Sequence, residues 1–556
     1  MKQSQHTSNV VRLAVRVALL STAGLLLLGA CGQDKDRGSA AGVSEEDAAR
    51  AMNQIDVGGM TRRTAVLADD KMEGRAPMTR GETRTLEYLE QEFAAAGLKA
   101  AGEKGFLQPV PLVEITASAA TTMELGVESL RYGDDFVVWT KRVVDEISIN
   151  GSDLVFAGYG IVAPEYGRND YAGVDWTGKT AVVLVNDPGF ATGDPEVFNG
   201  PAMTYYGRWT YKFEEAARHG ADGVLIIHET APAAYGWHVV RNGGVGSKLD
   251  LVTDNGGADR TPVEGWIQRA VAERLFGRAG LDLDAMKRAA LDSDFLPVSL
   301  EQAVSVEIRN TIREQASYNV VGKLTGSELP DEYIIYTAHW DHLGMDPTLE
   351  GDQIFNGAAD NAIGVAALLE IAEAYAALEQ PPKRSVMFAA VTAEESGLLG
   401  SLYFARNPPV PTRDLVAVLN MDIMLHKGPE AETTLLGLEQ SALGELAREA
   451  AGRQGRQVRP HPSPQSGYFY RSDNFSLAKS GVPGLSFLNA GPADSAYVRE
   501  HYHKPSDEYR ADWDLSGAVQ DAQLYFDLGY RLANSDGFPA WRETSEFRAA
   551  RVADGR

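Results

Sequence analysis

A single cysteine, Cys31, serves 556 residues, which excludes an intramolecular disulfide and any metal site built from several thiolates. Basic residues are also scarce. The 52 Lys and Arg stand against 77 Asp and Glu, a formal charge of −25, which excludes the basic face that nucleic-acid phosphates require. No acidic block is long enough to read as a disordered tail, and no internal repeat is visible. The apolar run "VALLSTAGLLLLGA", residues 17–30, falls short of the roughly 20 residues a spanning helix needs. What the chain does have is length and a 44% hydrophobic content, enough for a large core and more than one domain.

Lys2, Arg12 and Arg16 precede that apolar run, which ends at Cys31. A charged segment followed by a short apolar core is the pattern of an export signal. "LGAC", residues 28–31, resembles a bacterial lipobox, and the alternative is an ordinary signal peptide with an incidental cysteine. The resemblance implies a lipoprotein signal peptide over 1–30 and a membrane partner reached through a lipid anchor on Cys31. The protein would then be held in the bacterial cell envelope. Gly32 in place of an aspartate points, by the same resemblance, to the outer membrane, facing periplasm or exterior. Residues 31–44 read as a flexible tether.

From Glu45 to about Leu112 the pattern is helical. Leu86, Leu89 and Phe93 fall at helical spacing, and Gly97 is a C-terminal stop. Over 113–310 the texture changes to short strands and turns around a small α/β unit, with "KTAVVLVND" and "DGVLIIH" as strands and "YKFEEAARHGA" as a helix. From about Ser317 apolar strands alternate with helices: "YIIYTA", "SVMFAAV", "LVAVLNM" and "VPGLSFL" among long apolar helices such as "NAIGVAALLEIAEAYAALE". Such alternation predicts a mixed, largely parallel sheet covered on both faces, with its site beyond the carboxyl ends of the strands.

Those ends carry ligand chemistry. His339 follows "YIIYTA", the pair Glu394–Glu395 follows "SVMFAAV", and Asp422 follows "LVAVLNM". Asp360 stands at a helix start, where capping is the ordinary reading, and "HYHKPSD" supplies His501 and His503. Two histidines with three or four carboxylates suit a pair of nitrogen- and oxygen-liking divalent ions, zinc foremost. A two-metal site needs a bridging carboxylate and a base that the ions do not consume. Two adjacent glutamates can divide those duties, because successive loop residues point in different directions.

The segments "AHWDHLG", "GAADNAIGVAALLEIA", "RSVMFAAVTAEESGLLGS", "LNMDIM" and "YHKPSD" resemble, in order and spacing, the motifs of the zinc aminopeptidases of peptidase family M28. Residues 67–102 are similar to the start of that catalytic domain, and "YKFEEAARHGADGVLIIH" resembles part of a protease-associated (PA) domain. The resemblance implies a three-layer αβα zinc-exopeptidase fold interrupted by a β-rich, PA-like insert. The divisions are 45–112 and 311–540 for the catalytic domain, 113–310 for the insert and 541–556 for a C-terminal tail. It implies two Zn2+ per chain, with Asp360 bridging, His339 and Asp422 completing one ion, and Glu395 and His503 the other. Glu394 would be the general base, Asp341 would orient His339, and Tyr502, or else Tyr468 or Tyr470, would donate to the oxyanion. Two departures stand out: Ala359 precedes Asp360 where many members have a second aspartate, and Asn474 replaces a usual histidine in "SDN". His342 and His501 read as structural or solvent-facing, and His219, His228, His238, His426 and His461 match no motif.

The implied activity is aminopeptidase hydrolysis of peptides through a bridging water. An M28-type carboxypeptidase, a glutaminyl cyclase and a non-catalytic receptor-like homologue are the alternatives. The cyclase is disfavoured by the full ligand set and the insert, and the receptor reading by the intact ligand positions.

Overall fold

The computed structural model describes residues 44–424, 426–488, 492–553 and 555. The expected signal peptide, Cys31 and nearly all of the tether lie outside the described residues.

Four strands form the centre of the catalytic sheet in the order Arg384–Val391, Leu329–His339, Leu415–Met421 and Gly484–Phe487, each parallel to the next. Every residue of Arg384–Val391 and of Leu415–Met421 is buried, as expected of parallel strands roofed on both faces. Antiparallel neighbours flank the four, with Val320 opposite Ala390 at one side and Leu435 opposite Phe487 at the other. The sheet is therefore mixed and largely parallel. The helices Ile363–Ala376 and Ser516–Asn534 share one apolar core with Val57–Leu67 and Arg80–Ala95. Phe404 and Leu477, from Leu399–Arg406 and Asn474–Lys479, pack into a second core on the other face with Ile335 and Met387. Helices above, sheet between and helices below make the three-layer αβα arrangement.

The helical reading of 45–112 ends too late. Helix Arg80–Ala95 stops before Gly97, which takes φ 74°, but Leu107–Ala117 is a strand. Its prolines, Pro109 and Pro111, lie outside the stretch Leu112–Thr116 that pairs with Ser247–Leu251, where that ladder asks no amide of them; the Pro111 carbonyl still accepts the Val252 amide at 3.0 Å. This strand runs antiparallel to Val298–Leu324 from Leu107 opposite Val320 to Ala117 opposite Asn310. Val298–Leu324 begins in the insert, paired with Glu146–Phe156, and ends in the catalytic sheet. The boundaries expected at 112/113 and 310/311 thus fall inside one continuous ribbon. Within the insert, Glu146–Phe156, Lys179–Leu184, Gly223–His228 and Val263–Gln268 are parallel in that order, with helix Trp209–Arg218 alongside.

Residues 541–556, expected to be a tail, are anchored instead. Trp541 and Phe547 are buried in an aromatic cluster with Phe469 and Phe475, and Arg551 donates to the Leu415 carbonyl at 2.8 Å. Large rings dispersed among polar residues carry no periodicity that would mark them as core.

Candidate metal centre

Strand register brings the first residues together. His339 is opposite Val391, the last strand residue before the loop that bears Glu394 and Glu395. On its other side Thr337 is opposite Asn420, so His339 and Asp422 leave adjacent strands at the same level. Asp360 arrives from a turn, residues Ala358–Ala362, ahead of helix Ile363–Ala376, and the Asp360–Asn361 peptide is cis. It is no cap. Asn361 Oδ1 receives the Gly364 amide instead, leaving the Asp360 carboxylate free to face the histidines.

Asp360 presents one oxygen to each histidine, Oδ1 at 3.2 Å from His339 Nε2 and Oδ2 at 3.4 Å from His503 Nε2. Asp422 Oδ1 lies 3.6 Å from His339 Nε2, and Glu395 Oε2 lies 2.9 Å from His503 Nε2. His339, Asp360 and Glu395 offer ligand atoms within 4.8 Å of one another. The five expected ligands therefore converge, His339 with Asp422 on one side of Asp360 and His503 with Glu395 on the other.

The adjacent glutamates part company. Glu395 is engaged by His503 and by His342, whose Nδ1 is 2.7 Å from Oε1, and its side chain is 7% exposed. The Glu394 carboxylate has no hydrogen bond among the described residues. Both backbone amides donate to Asp341, Glu394 to Oδ1 at 3.1 Å and Glu395 to Oδ2 at 3.4 Å. Asp341 also receives His339 Nδ1, but through its backbone carbonyl at 3.1 Å, its carboxylate being 3.8 Å away. Its carboxylate thus positions the acid pair while its carbonyl orients the histidine, a division the sequence did not suggest.

Proton affinities diverge accordingly. Burial pushes Glu394 well above the usual carboxylate range, and repulsion from Asp422 and Glu395 adds to it. Burial also works on Glu395, but His503 and His342 hold it down at about 2. His503 is lifted to about 10, because Glu395 and Asp360 outweigh the burial that would lower it. Burial raises Asp341 to about 7 and Asp473 to about 6.

Three tests of the donor set favour cations. His339 Nε2 and His503 Nε2 face carboxylate oxygens without making a hydrogen bond to them, and His342 Nε2 is enclosed with no partner among the described residues. Asp341, Asp360, Asp422 and Asp473 are all buried beside the two glutamates, a concentration of negative charge that demands counter-charge. The buried cation close to them, Arg75, spends its donors on the carbonyls of Trp340, Leu67, Asn356 and Gly357. Nitrogen and carboxylate oxygen without sulfur fit zinc.

Three supporting residues escaped the sequence. His342, expected to be structural or solvent-facing, grips Glu395 inside the site. Asp507 accepts the amides of Ala359 at 2.9 Å and Asp360 at 3.1 Å, fixing the turn that aims Asp360. Ser472 donates to Asp422 Oδ2 at 2.8 Å. For Asp507 the signal was its place in "YHKPSD", while no sequence signal marks His342. His501 stays outside, bonded to Ser506 Oγ at 3.0 Å. Tyr502 stacks on His503 with ring centres 3.8 Å apart, whereas the Tyr470 hydroxyl donates to Glu546 at 2.6 Å.

Residues 319–527 match the family model for peptidase family M28. A probable zinc metalloprotease of Pyrenophora teres f. teres (strain 0-1) is 37% identical over 116 residues, 21% of this chain and 24% of that protein. Aminopeptidase NAALADL1 of Mus musculus is 29% identical over 202 residues, 35% of this chain and 25% of that protein. The chain thus spans about a quarter of the length of these curated relatives. Among solved structures, an aminopeptidase from Aneurinibacillus sp. strain AM-1 shares the fold with TM-score 0.51 and 18% identity, over 87% of this chain and 95% of that one.

Proposed function

We propose that the protein is a zinc-dependent aminopeptidase that removes N-terminal residues from peptides. One observation carries the reading: the two oxygens of Asp360 are divided between His339 and His503. A carboxylate so shared is what a two-ion site needs. In this reading Asp360 would be shared between the ions, His339 and Asp422 would help hold one, and Glu395 and His503 the other. Zinc, when bound, supplies Lewis acidity that makes water a nucleophile near neutral pH.

The protein's own groups move the protons. Glu394, unencumbered by hydrogen bonds, takes one from the attacking water as its oxygen bonds to the peptide carbonyl carbon. It returns that proton to the amine nitrogen as the carbon–nitrogen bond breaks. Its raised proton affinity suits both halves of that transfer, and bound cations temper it. Tyr502, whose ring stacks on His503, would donate to the oxygen on which charge develops, since the Tyr470 hydroxyl is spent on Glu546. Asp341, His342 and Asp507 hold the ligands in position.

The test is a panel of aminoacyl amides and their N-acetylated counterparts, assayed with and without chelator. The reading expects hydrolysis of the free-amine substrates alone, lost on chelation and restored by zinc. Equal turnover of the acetylated series would show that no free N-terminal amine is required and would contradict the aminopeptidase reading. We further propose that the chain is tethered to a bacterial membrane through Cys31. Cys31→Ser should shift it from membrane to soluble fractions, and retention would refute the lipid anchor.

A further inference from the structure

Arg75 is 1% exposed, and among the described residues its guanidinium donates only to backbone carbonyls. Nε reaches Trp340 O at 2.7 Å, Nη1 reaches Leu67 O at 2.7 Å and Asn356 O at 2.5 Å, and Nη2 reaches Gly357 O at 2.9 Å. Burying a guanidinium without a carboxylate partner is costly, so its retention calls for a reason. Arginine's planar fork sets the directions of its donors, and several bonds from one fork fix their acceptors relative to each other.

Those acceptors flank the metal ligands. The Trp340 carbonyl lies between His339 and Asp341, 265 positions along the chain from Arg75. Asn356 and Gly357 lead into the turn Ala358–Ala362, which delivers Asp360, and Leu67 closes the helix Val57–Leu67. One side chain therefore ties the segment of His339 to the segment of Asp360, whose side chains stand 3.2 Å apart. The contact is built from both directions, since Asn356 Nδ2 donates back to Ala68 O at 2.8 Å and to Asp70 Oδ1 at 2.9 Å. Arg75 takes φ 53°, with Glu73 at 51° and Met78 at 61°, left-handed conformations that persist where the surroundings impose them. Asp507 secures the amides of the Asp360 turn and Arg75 its entering carbonyls, and neither uses a ligand atom of His339 or Asp360.

We propose that Arg75 is a positioning residue that sets His339 and Asp360 at their metal-binding separation before any cation arrives. The inference rests on the two-ion reading above and adds to it a group outside the residues 319–527 that match the family. A cation that meets ordered loops does not have to organise them, and its affinity gains what that ordering would have cost.

Arg75→Lys keeps the charge but loses the fork. Its control is Arg384→Lys, at a buried arginine that donates to Leu532 O at 2.7 Å. Arg384 begins the strand whose other end, Val391, lies opposite His339. Zinc affinity is read in both folded variants by competition with a chelating dye. Arg75→Lys should bind zinc about ten- to a hundredfold more weakly than the wild type, and Arg384→Lys within about twofold of it. Wild-type affinity in Arg75→Lys, or an equal loss in both variants, overturns the inference. A second arm needs no variant. In the metal-free wild type, hydrogen exchange over residues 356–362 should be slow, and protection that appears only with zinc overturns the inference. Wild-type protein that binds no zinc, with this protection lost in Arg75→Lys alone, would instead overturn the metal reading and leave the positioning role standing.

Discussion

His342 shows how one side chain decides what a neighbour can do. Its 2.7 Å contact with Glu395 fixes the carboxylate that also faces His503. His342→Ala should therefore weaken zinc binding by about ten- to a hundredfold while the protein stays folded, read by competition with a chelating dye. Unchanged affinity would mean that Glu395 is held by other groups. Among the candidate ligands His339, Glu395 and Asp422 were legible because each ends or follows an apolar strand, and Asp360 because it precedes a helix, whereas His503 follows a helix and was marked by its place in "YHKPSD" alone. His342 was not, because an imidazole three residues past His339 looks the same in sequence whether it meets solvent or a glutamate 53 positions later. The paired role of Asp341 was hidden for a similar reason. Its carbonyl and its carboxylate do different work, and residue identity reveals only the second.

At the scale of elements, the helix Ser516–Asn534 packs against the sheet closely enough to require a residue without a side chain. A Cβ on Gly529 would stand 1.7 Å from the Tyr336 hydroxyl oxygen. Tyr336 has little room to move, since its hydroxyl donates to the Tyr525 carbonyl at 2.8 Å and its ring stacks on Phe388. Gly529→Ala should cost about 1–3 kcal/mol, overpacking outweighing the gain in helix propensity, as measured by urea unfolding. An undiminished midpoint would contradict this packing. The central strands were readable because burial on both faces leaves an unbroken apolar run. The ribbon formed by Leu107–Ala117 and Val298–Leu324 was not, because its residues pass from one sheet to another and change burial pattern on the way. Composition marks such a passage as a domain boundary, whereas the backbone hydrogen bonds run straight through it.

For the whole molecule, pH couples stability to buried acids that are not among the candidate ligands. Burial raises Glu82 from 4.5 to about 7, although Met78 N and Ser317 Oγ donate to it. The folded protein binds this proton more tightly than the unfolded chain. Its stabilising contribution is therefore complete below pH 4.5 and is lost as pH rises to about 7. Glu82→Gln should match the wild type near pH 5 and exceed it at pH 8 by no more than roughly 3 kcal/mol, in denaturant titrations at both values. Parallel stability curves would show that Glu82 ionises as readily folded as unfolded. The same scale governs the site, whose residues come from strand ends and from loops far apart along the chain. The overall class was legible in the order of motifs along the chain. How the insert meets the centre was not, since that contact joins residues some 260 positions apart, such as Met203 and Pro464.

The central claim is that two neighbouring glutamates have separate duties, one holding metal and the other moving a proton. Zinc per chain, determined by mass spectrometry of purified Glu394→Gln and Glu395→Gln proteins alongside peptide turnover, tests it most directly. The account predicts wild-type zinc with turnover reduced by about 10²–10⁴-fold or more for Glu394→Gln, and depleted zinc for Glu395→Gln. Depletion in Glu394→Gln with full occupancy in Glu395→Gln would contradict it.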